Sequence, residues 1–213
     1  TNIGGAASAS FTVTGAAAGL NGNQYRCVVS SQCGSTNSNP AVLTVNTAPA
    51  IATHPQSVTL CAGSNNTFTV AASGSGLTYQ WQVSTIAVPA FTDIPTATSA
   101  SYTVTGITAG MNANQYRCVV TGTCTPAATS NAATLTVVTS VTVTSQPASI
   151  AVCDGGNTSF TVAGSGTGVI YQWQVDPGTG FVNITNGAPY SGVTTATLSI
   201  TGATTALNTY QFR

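Results

Sequence analysis

Residues 79–83 read YQWQV, and the same five letters return at residues 171–175. A second phrase, YRCVV, occurs at residues 25–29 and again at residues 116–120. The first phrase returns after 92 residues and the second after 91. Solenoid repeats are shorter, at about 20 to 50 residues. The sequence therefore predicts a domain-sized module that is used several times.

The module is predicted to consist of strands. The sequence contains short alternating runs of Thr, Val, Phe and Tyr, and Gly, Asn, Ser and Pro separate these runs. No helical periodicity is present. One unit is complete, at about residues 48–137. Its expected strands are residues 57–60, 66–72, 78–83, 91–94, 101–105, 115–121 and 132–137. Seven short strands in about 90 residues are typical of a two-sheet sandwich, so the expected fold class is all-β.

The register of the repeat predicts the domain boundaries. Residues 1–47 would be the C-terminal part of a domain, residues 48–137 a complete domain, and residues 138–213 the N-terminal part of a third. On this interpretation the chain is a window on a longer repetitive protein. The alternative is a filament subunit whose partial domains are completed by its neighbours.

Four aromatic residues form the predicted core signature. Trp81 and Trp173 alternate with outward-facing Gln, while Tyr25 and Tyr116 each stand two residues before a cysteine. This pattern resembles the immunoglobulin fold, with a core Trp on strand C and a tyrosine corner at strand F. The phrases CAGSN, YQWQVS and QYRCVV more specifically resemble tandem immunoglobulin-like domains of very large secreted or surface proteins from Bacteroidetes-type bacteria. The resemblance implies tandem β-sandwiches of about 90 residues each, a scaffold and not an activity.

Two features depart from the immunoglobulin pattern. The strand B position that usually holds the first cysteine is Val70, and Val162 in the next unit, so the usual disulfide from strand B to strand F cannot form. Phe212 stands where Tyr116 stands in the preceding unit. Loss of the corner hydroxyl and its hydrogen bond is expected to cost about 1 kcal/mol.

The six cysteines are the candidates for disulfides, because the implied extracellular setting favours oxidation. Each full unit would have one before strand B, one on strand F and one in the hairpin that follows; these are Cys61 and Cys153, Cys27 and Cys118, and Cys33 and Cys124. Three partners stay open for Cys61: Cys118, Cys124, or the hairpin cysteine of a neighbouring unit. Zinc is not expected, because five residues separate the second and third cysteines and no His is nearby.

Charged residues make up only 3% of the chain, and Lys and Glu are absent. The three Arg residues occupy one repeat position, so no basic stripe exists to bind nucleic acid or an anionic membrane. Net charge is zero, which weakens repulsion between copies of the chain and favours their association. No run of 18 apolar residues predicts a membrane span.

Residues for catalysis are scarce. His54 is the only histidine and is expected in a solvated strand-entry loop, while Asp93, Asp154 and Asp176 do not recur between units. No triad or fixed carboxylate pair is therefore predicted. Residues 154–157 and 176–180 could offer oxygens to Ca²⁺, but turns are favoured. We expect a non-enzymatic protein without a cofactor or metal.

Two residues are candidate contacts with other molecules. Tyr190 lies in an insertion at residues 186–193 of the third unit, and Arg117 points out from its sheet. For Tyr190 the alternative is packing on its own strand, and for Arg117 it is a solvated cation or a contact with a neighbouring strand.

The sequence favours a structural repeat segment of a secreted or surface-exposed bacterial fibre, filament or stalk that associates with copies of itself. An adhesin module that binds glycans or cell-surface molecules, and a spacer in a large secreted enzyme, are the alternatives.

Overall fold

The structure, a computed structural model, describes residues 3–4 and 6–213. It is all-β, which confirms the predicted fold class. Three short 3₁₀ helices, Ala18–Leu20, Ala109–Met111 and Thr205–Leu207, are the only helices in the described residues. Each is followed by Asn at its C-cap, so the helical turn recurs with the sequence repeat.

The first fourteen strands, in chain order, are β1 (Gln24–Tyr25), β2 (Val28–Ser31), β3 (Gly34–Asn37), β4 (Ala41–Val42), β5 (Ala50–Thr53), β6 (Val58–Cys61), β7 (Asn66–Thr69), β8 (Ala71–Ser73), β9 (Thr78–Ser84), β10 (Thr92–Asp93), β11 (Ser101–Val104), β12 (Gln115–Thr121), β13 (Ala128–Thr129) and β14 (Ala133–Val138). The remaining eight are β15 (Thr142–Ser145), β16 (Gly156–Thr161), β17 (Ala163–Ser165), β18 (Gln174–Asp176), β19 (Val182–Asn183), β20 (Tyr190–Ser191), β21 (Thr197–Ala203) and β22 (Gln211–Phe212).

The largest sheet has the order β10-β9-β12-β14-β6, with β13 also paired to β12. Opposing strands β7 and β11 form one pair, and β5 and β8 form another. The predicted strand at residues 66–72 is therefore divided, because the chain changes partner at Val70 from β11 to β5. Later in the chain, the sheets are β16-β21-β20, β19-β18-β22 and β15-β17.

The chain forms two compact units. The first comprises the described residues up to Val58, then Asn66–Val104 and Ala113–Leu135. The second comprises Thr59–Asn65, Thr105–Asn112 and Thr136–Arg213. The boundaries at residues 47 and 137, derived from the repeat register, stay a prediction.

The core of the first unit is aromatic. Alternation along β7, β9 and β12 sends Phe68, Trp81 and Tyr116 to the same side, and none is more than 4% exposed. The Phe68 and Tyr116 rings stack with centroids 4.8 Å apart, and Trp81 lies 6.4 Å from Phe68. The Trp81 indole N–H donates to the carbonyl of Ser99 at 2.9 Å, so its one polar atom is satisfied. Burial of one such ring contributes at most roughly 4–6 kcal/mol.

The second unit repeats this core with almost the same geometry. Phe160 stacks on Phe212 at 5.0 Å and lies 6.4 Å from Trp173, which is 2% exposed. Trp173 donates to the carbonyl of Thr195 at 3.0 Å. The change from Tyr116 to Phe212 therefore removes a hydroxyl and leaves the ring stack in place. Leu198 and Ile200 belong to the same buried cluster as Trp173.

Tyr25 is less enclosed than its repeat counterpart Tyr116. Its ring is half-buried and lies 6.0 Å from that of Phe11, itself 48% exposed. Tyr102 and Tyr116 are also 6.0 Å apart, so the aromatic pair recurs although burial differs.

Candidate functional site: the arginine ladder and the 186–193 insertion

A polar ladder crosses the outer face of β9 and β12. Arg117 and Gln82 are opposite each other in register, and the Arg117 Nε–H donates to Gln82 Oε1 at 2.8 Å. The Gln82 amide N–H then donates to Asp93 Oδ1 on β10, also at 2.8 Å. The guanidinium carbon of Arg117 lies 4.0 Å from the centroid of Phe91. These four residues, and their counterparts in the next repeat, are called the arginine ladder below.

The counterpart ladder is built from Arg213, Gln174, Asn183 and Phe181. Arg213 Nε donates to Gln174 Oε1 at 2.9 Å, and its guanidinium carbon lies 3.9 Å from the Phe181 centroid. Gln174 donates to Asn183 Oδ1 at 2.9 Å. Because Asn183 replaces Asp93 without changing the bond, the ladder requires an oxygen acceptor and not a negative charge.

The first Gln of each YQWQV phrase also has a structural role. The Gln80 amide donates to the backbone carbonyls of Trp81 and Ile94, both at 2.8 Å. Gln172 donates in the same way to Trp173 and Ile184, at 2.8 and 2.9 Å. Each of these amides therefore bridges the backbone of its YQWQV phrase to the segment that follows it.

The ladder residues Phe91 and Phe181 and the bridging residues Gln80 and Gln172 were not predicted as such from the sequence. They do recur at aligned positions of the repeat, which is the signal that the sequence carries for them. Arg117 is half-buried, and it contacts Gln82 on the neighbouring strand and the ring of Phe91. Arg26, at the same repeat position, is exposed and makes no cation–π contact within the described ranges.

The ladder can hold a guanidinium in a fixed orientation, with part of its five N–H donors left for another molecule. It offers no nucleophile or general base. Across residues 3–4 and 6–213, no group of three or more His, Cys, Asp or Glu residues is placed to hold a metal ion.

The insertion at residues 186–193 packs on its own sheet. Its strand β20 pairs with β21, with Tyr190 opposite Ile200. The Tyr190 ring is half-buried and lies 6.1 Å from Phe212, and this burial raises the pKa of its hydroxyl. A shallow open depression is lined by residues 186–192 and Thr201. Both alternatives for Tyr190, a contact with another molecule and packing on its own strand, stay predictions.

All six cysteines are free thiols in the structure. Cys118 is completely buried opposite Trp81 in register, and burial raises the pKa of its thiol. Cys124 is half-buried, and the other four are exposed: Cys27, Cys33, Cys61 and Cys153. The three disulfide alternatives for Cys61 stay predictions.

His54 lies in a loop, as expected, but its side chain also has a partner in the chain. It is half-buried, and its Nδ1 accepts a hydrogen bond from the backbone N–H of Asn131 at 3.0 Å. The Asn131 backbone thus ties His54 to the segment between β13 and β14, a contact that spans 77 residues of sequence.

The carboxylates bind groups of their own chain. Asp176 Oδ1 accepts from the backbone N–H groups of Gly178 at 2.7 Å and Gly180 at 2.8 Å, which lowers its pKa. Asp154 Oδ1 accepts from the Thr205 N–H at 3.0 Å, at the start of a 3₁₀ helix. Asp93 belongs to the ladder. The three carboxylates therefore accept hydrogen bonds in a turn, at the start of a 3₁₀ helix and between two strands.

Within the described residues, no helix has the length and apolar character needed to cross a membrane.

Comparison with known proteins identifies the fold. Residues 50–139 match the model of a family described only as a domain of unknown function, DUF8696. A comparison with curated proteins found no match. The titin I-band fragment I67–I69 is similar in structure, with 17% identity and a TM-score of 0.62 over 89% of this chain and 68% of that one. Immunoglobulin domains 1–4 of Sidekick-1 give 18% identity and a TM-score of 0.57 over 89% of this chain and 52% of that one.

The fold is that of tandem immunoglobulin-like domains. At these identities the likeness shows the fold alone, and function must be argued from the residues. Within this immunoglobulin-like fold, the recurring side-chain contacts include the ladder, the bridging glutamines and the aromatic core.

Proposed function

We propose that the chain is a non-catalytic structural repeat segment of an extracellular fibre, filament or surface stalk. The observation that carries this proposal is the recurrence of internal bonds. Between the two ladders, corresponding hydrogen-bond distances differ by about 0.1 Å, as do the two distances from Arg to the ring. Polar side chains that recur in this protein bind their own sandwich, as expected of a scaffold that keeps its shape in every copy.

The composition supports the same proposal. Hydroxyl and amide side chains supply the polarity while only 3% of residues are charged, so long-range repulsion between copies is weak. Copies of the chain are the proposed partners. The resemblance of the repeat phrases to Bacteroidetes-type surface proteins supports a bacterial, secreted or cell-surface location.

The proposed domain boundaries follow the repeat, at residues 47 and 137. The backbone N–H of Thr47 donates to Ser75 Oγ at 3.0 Å, and that of Thr139 donates to Thr167 Oγ1 at 2.9 Å. The two donor residues lie 92 residues apart in the sequence, and so do the two acceptor residues. A bond that fixes the chain where each sandwich begins would limit bending there, which suits a stalk.

Electron microscopy of the native protein tests the proposal. We expect extended rows of evenly spaced compact densities, either as single strings or as bundled filaments. A single compact particle would contradict a fibre or stalk. A glycan array on the same protein tests the adhesin alternative, and binding that is lost in Tyr190→Ala would favour it.

A further inference from the structure

One sheet edge is paired in residues 138–213 but unpaired at the equivalent position of residues 48–137. In the second unit, β20 lies along β21, so that the Thr201 N–H donates to the carbonyl of Pro189 at 2.9 Å and Ser191 stands opposite Ser199. The insertion thereby supplies a third strand to the sheet, in the order β16-β21-β20.

The corresponding edge in the first unit belongs to β11. Tyr102 on β11 stands opposite Phe68, as Leu198 on β21 stands opposite Phe160, so the two strands are equivalent. Strand β11 pairs with β7 on one side, and within the described part of the chain no strand lies on its other side. The repeat that lacks the insertion thus has an open edge where the other has a covered one.

The backbone groups at this open edge can be assigned from the register. The Val70 N–H donates to the carbonyl of Ala100 at 2.9 Å. Backbone groups of an antiparallel strand alternate in direction, so those of Tyr102 also face β7, while those of Ser101 and Thr103 face away. The Ser101 and Thr103 side chains are both exposed.

We infer that the β11 edge is a self-association surface and that its occupant is the β11 edge of a second copy. In an antiparallel pair related by a two-fold axis, Ser101 of each copy would stand opposite Thr103 of the other. The backbone N–H and C=O groups that face away from β7 in one copy could then bond those of the other copy. The inference rests on the proposed function, and it names the surface through which copies join side by side.

A second copy is favoured as the occupant for two reasons. Proteins usually protect an open edge with charge, proline or a covering segment. Strand β11 contains neither charge nor proline, and the chain's own insertion pairs with the equivalent strand in the other repeat. The edge at β10 is less suitable, because Asp93 of two copies would lie close together across a two-fold axis.

Sedimentation velocity over a range of concentrations, with amide hydrogen exchange, tests the inference on the full chain. We expect a reversible dimer, and exchange at Thr103 that slows as the concentration rises. Thr103→Lys should weaken the dimer by about tenfold or more, since a lysine on an edge opposes pairing. Ser199→Lys is the matched control, at the equivalent position on the covered strand, and should leave the dimer unchanged.

Ser101→Lys is the second variant, because Thr103 also shares a hydrogen bond with Thr67 at 2.8 Å and its replacement alters that contact. A chain that stays monomeric at millimolar concentration, or a dimer of unchanged strength in both edge variants, would overturn the inference. Either result leaves the proposed stalk intact if microscopy still shows rows of densities. A compact native particle would instead contradict the proposed function itself.

Discussion

The guanidinium carbon of Arg117 lies over the ring of Phe91, 4.0 Å from its centroid, and Arg213 repeats the contact on Phe181 at 3.9 Å. Each of these cations is also bonded through Nε to a glutamine on the adjacent strand. Arg117 and Arg213 therefore each link two strands of one sheet face, a role that composition alone would not reveal.

Arg117→Ala is predicted to lower the free energy of unfolding by about 1–2 kcal/mol, because it removes a half-buried cation–π contact and a hydrogen bond. Urea denaturation followed by tryptophan fluorescence measures the change. Arg26→Ala is the matched control, since Arg26 occupies the same repeat position but is exposed. Equal effects of the two substitutions would contradict a structural role for the ladder.

Cys118 is predicted to resist alkylation in the folded protein. Its side chain is completely buried and its thiol pKa is raised, whereas reactive cysteines are exposed thiolates. Mass spectrometry after iodoacetamide treatment of the reduced protein should find Cys61 and Cys153 modified and Cys118 unmodified until denaturant is added. Rapid labelling of Cys118 in the native state would show that the core is open.

Thr209→Gly is predicted to stabilise the second unit by roughly 0.5–1 kcal/mol. Thr209 has a φ of 73°, a left-handed conformation that a β-branched residue rarely adopts. The equivalent positions are Ala113 at 64° and Gly22 at 82°, so the repeat demands this backbone shape whatever residue is present. Thr204→Gly is the control: its φ is −101°, and glycine there should destabilise. Thermal unfolding of both variants, with opposite shifts in Tm, is the expected result.

The turn at residues 176–180 is predicted to loosen in acid. Hydrogen bonds from Gly180 and Gly178 lower the pKa of Asp176, and the charge of Arg213 adds to this. A lowered folded-state pKa means that the stabilisation is present above the ordinary Asp pKa, near 4, and is lost as pH falls through the lower folded value. NMR of the Gly178 and Gly180 amides against pH should show this, with Asp176→Asn as a control that abolishes the titration. Amide shifts that stay constant down to pH 2 or so would contradict it.

Strand positions could be predicted because alternation is a local property. Strand β12 spans the predicted residues 115–121, and β9 extends one residue beyond the predicted run at residues 78–83. The division at Val70 could not be predicted in this way, since a single continuous run pairs first with one strand and then with another. Local pattern identifies a strand but does not identify its neighbours.

The contacts of the candidate site could be predicted less well than the strands, because the partners of its side chains lie on other segments of the chain. The outward direction of Arg117 follows from its inward neighbours Tyr116 and Cys118, yet its aromatic partner depends on how the segment after β9 returns across the sheet. His54 is the clearest case, because its hydrogen-bond partner Asn131 lies far away in sequence. Such contacts are set by tertiary packing and leave little trace in a single sequence.

We expect each repeat to fold and to bear load as a self-contained unit. Stretching the chain by its two termini in a single-molecule force experiment tests this expectation. Residues 50–139 should unfold in one step with a contour-length gain of roughly 30 nm, from about 3.4 Å for each of the residues in the family match. Smooth extension without a step of this size would show that residues 50–139 do not unfold as one load-bearing unit.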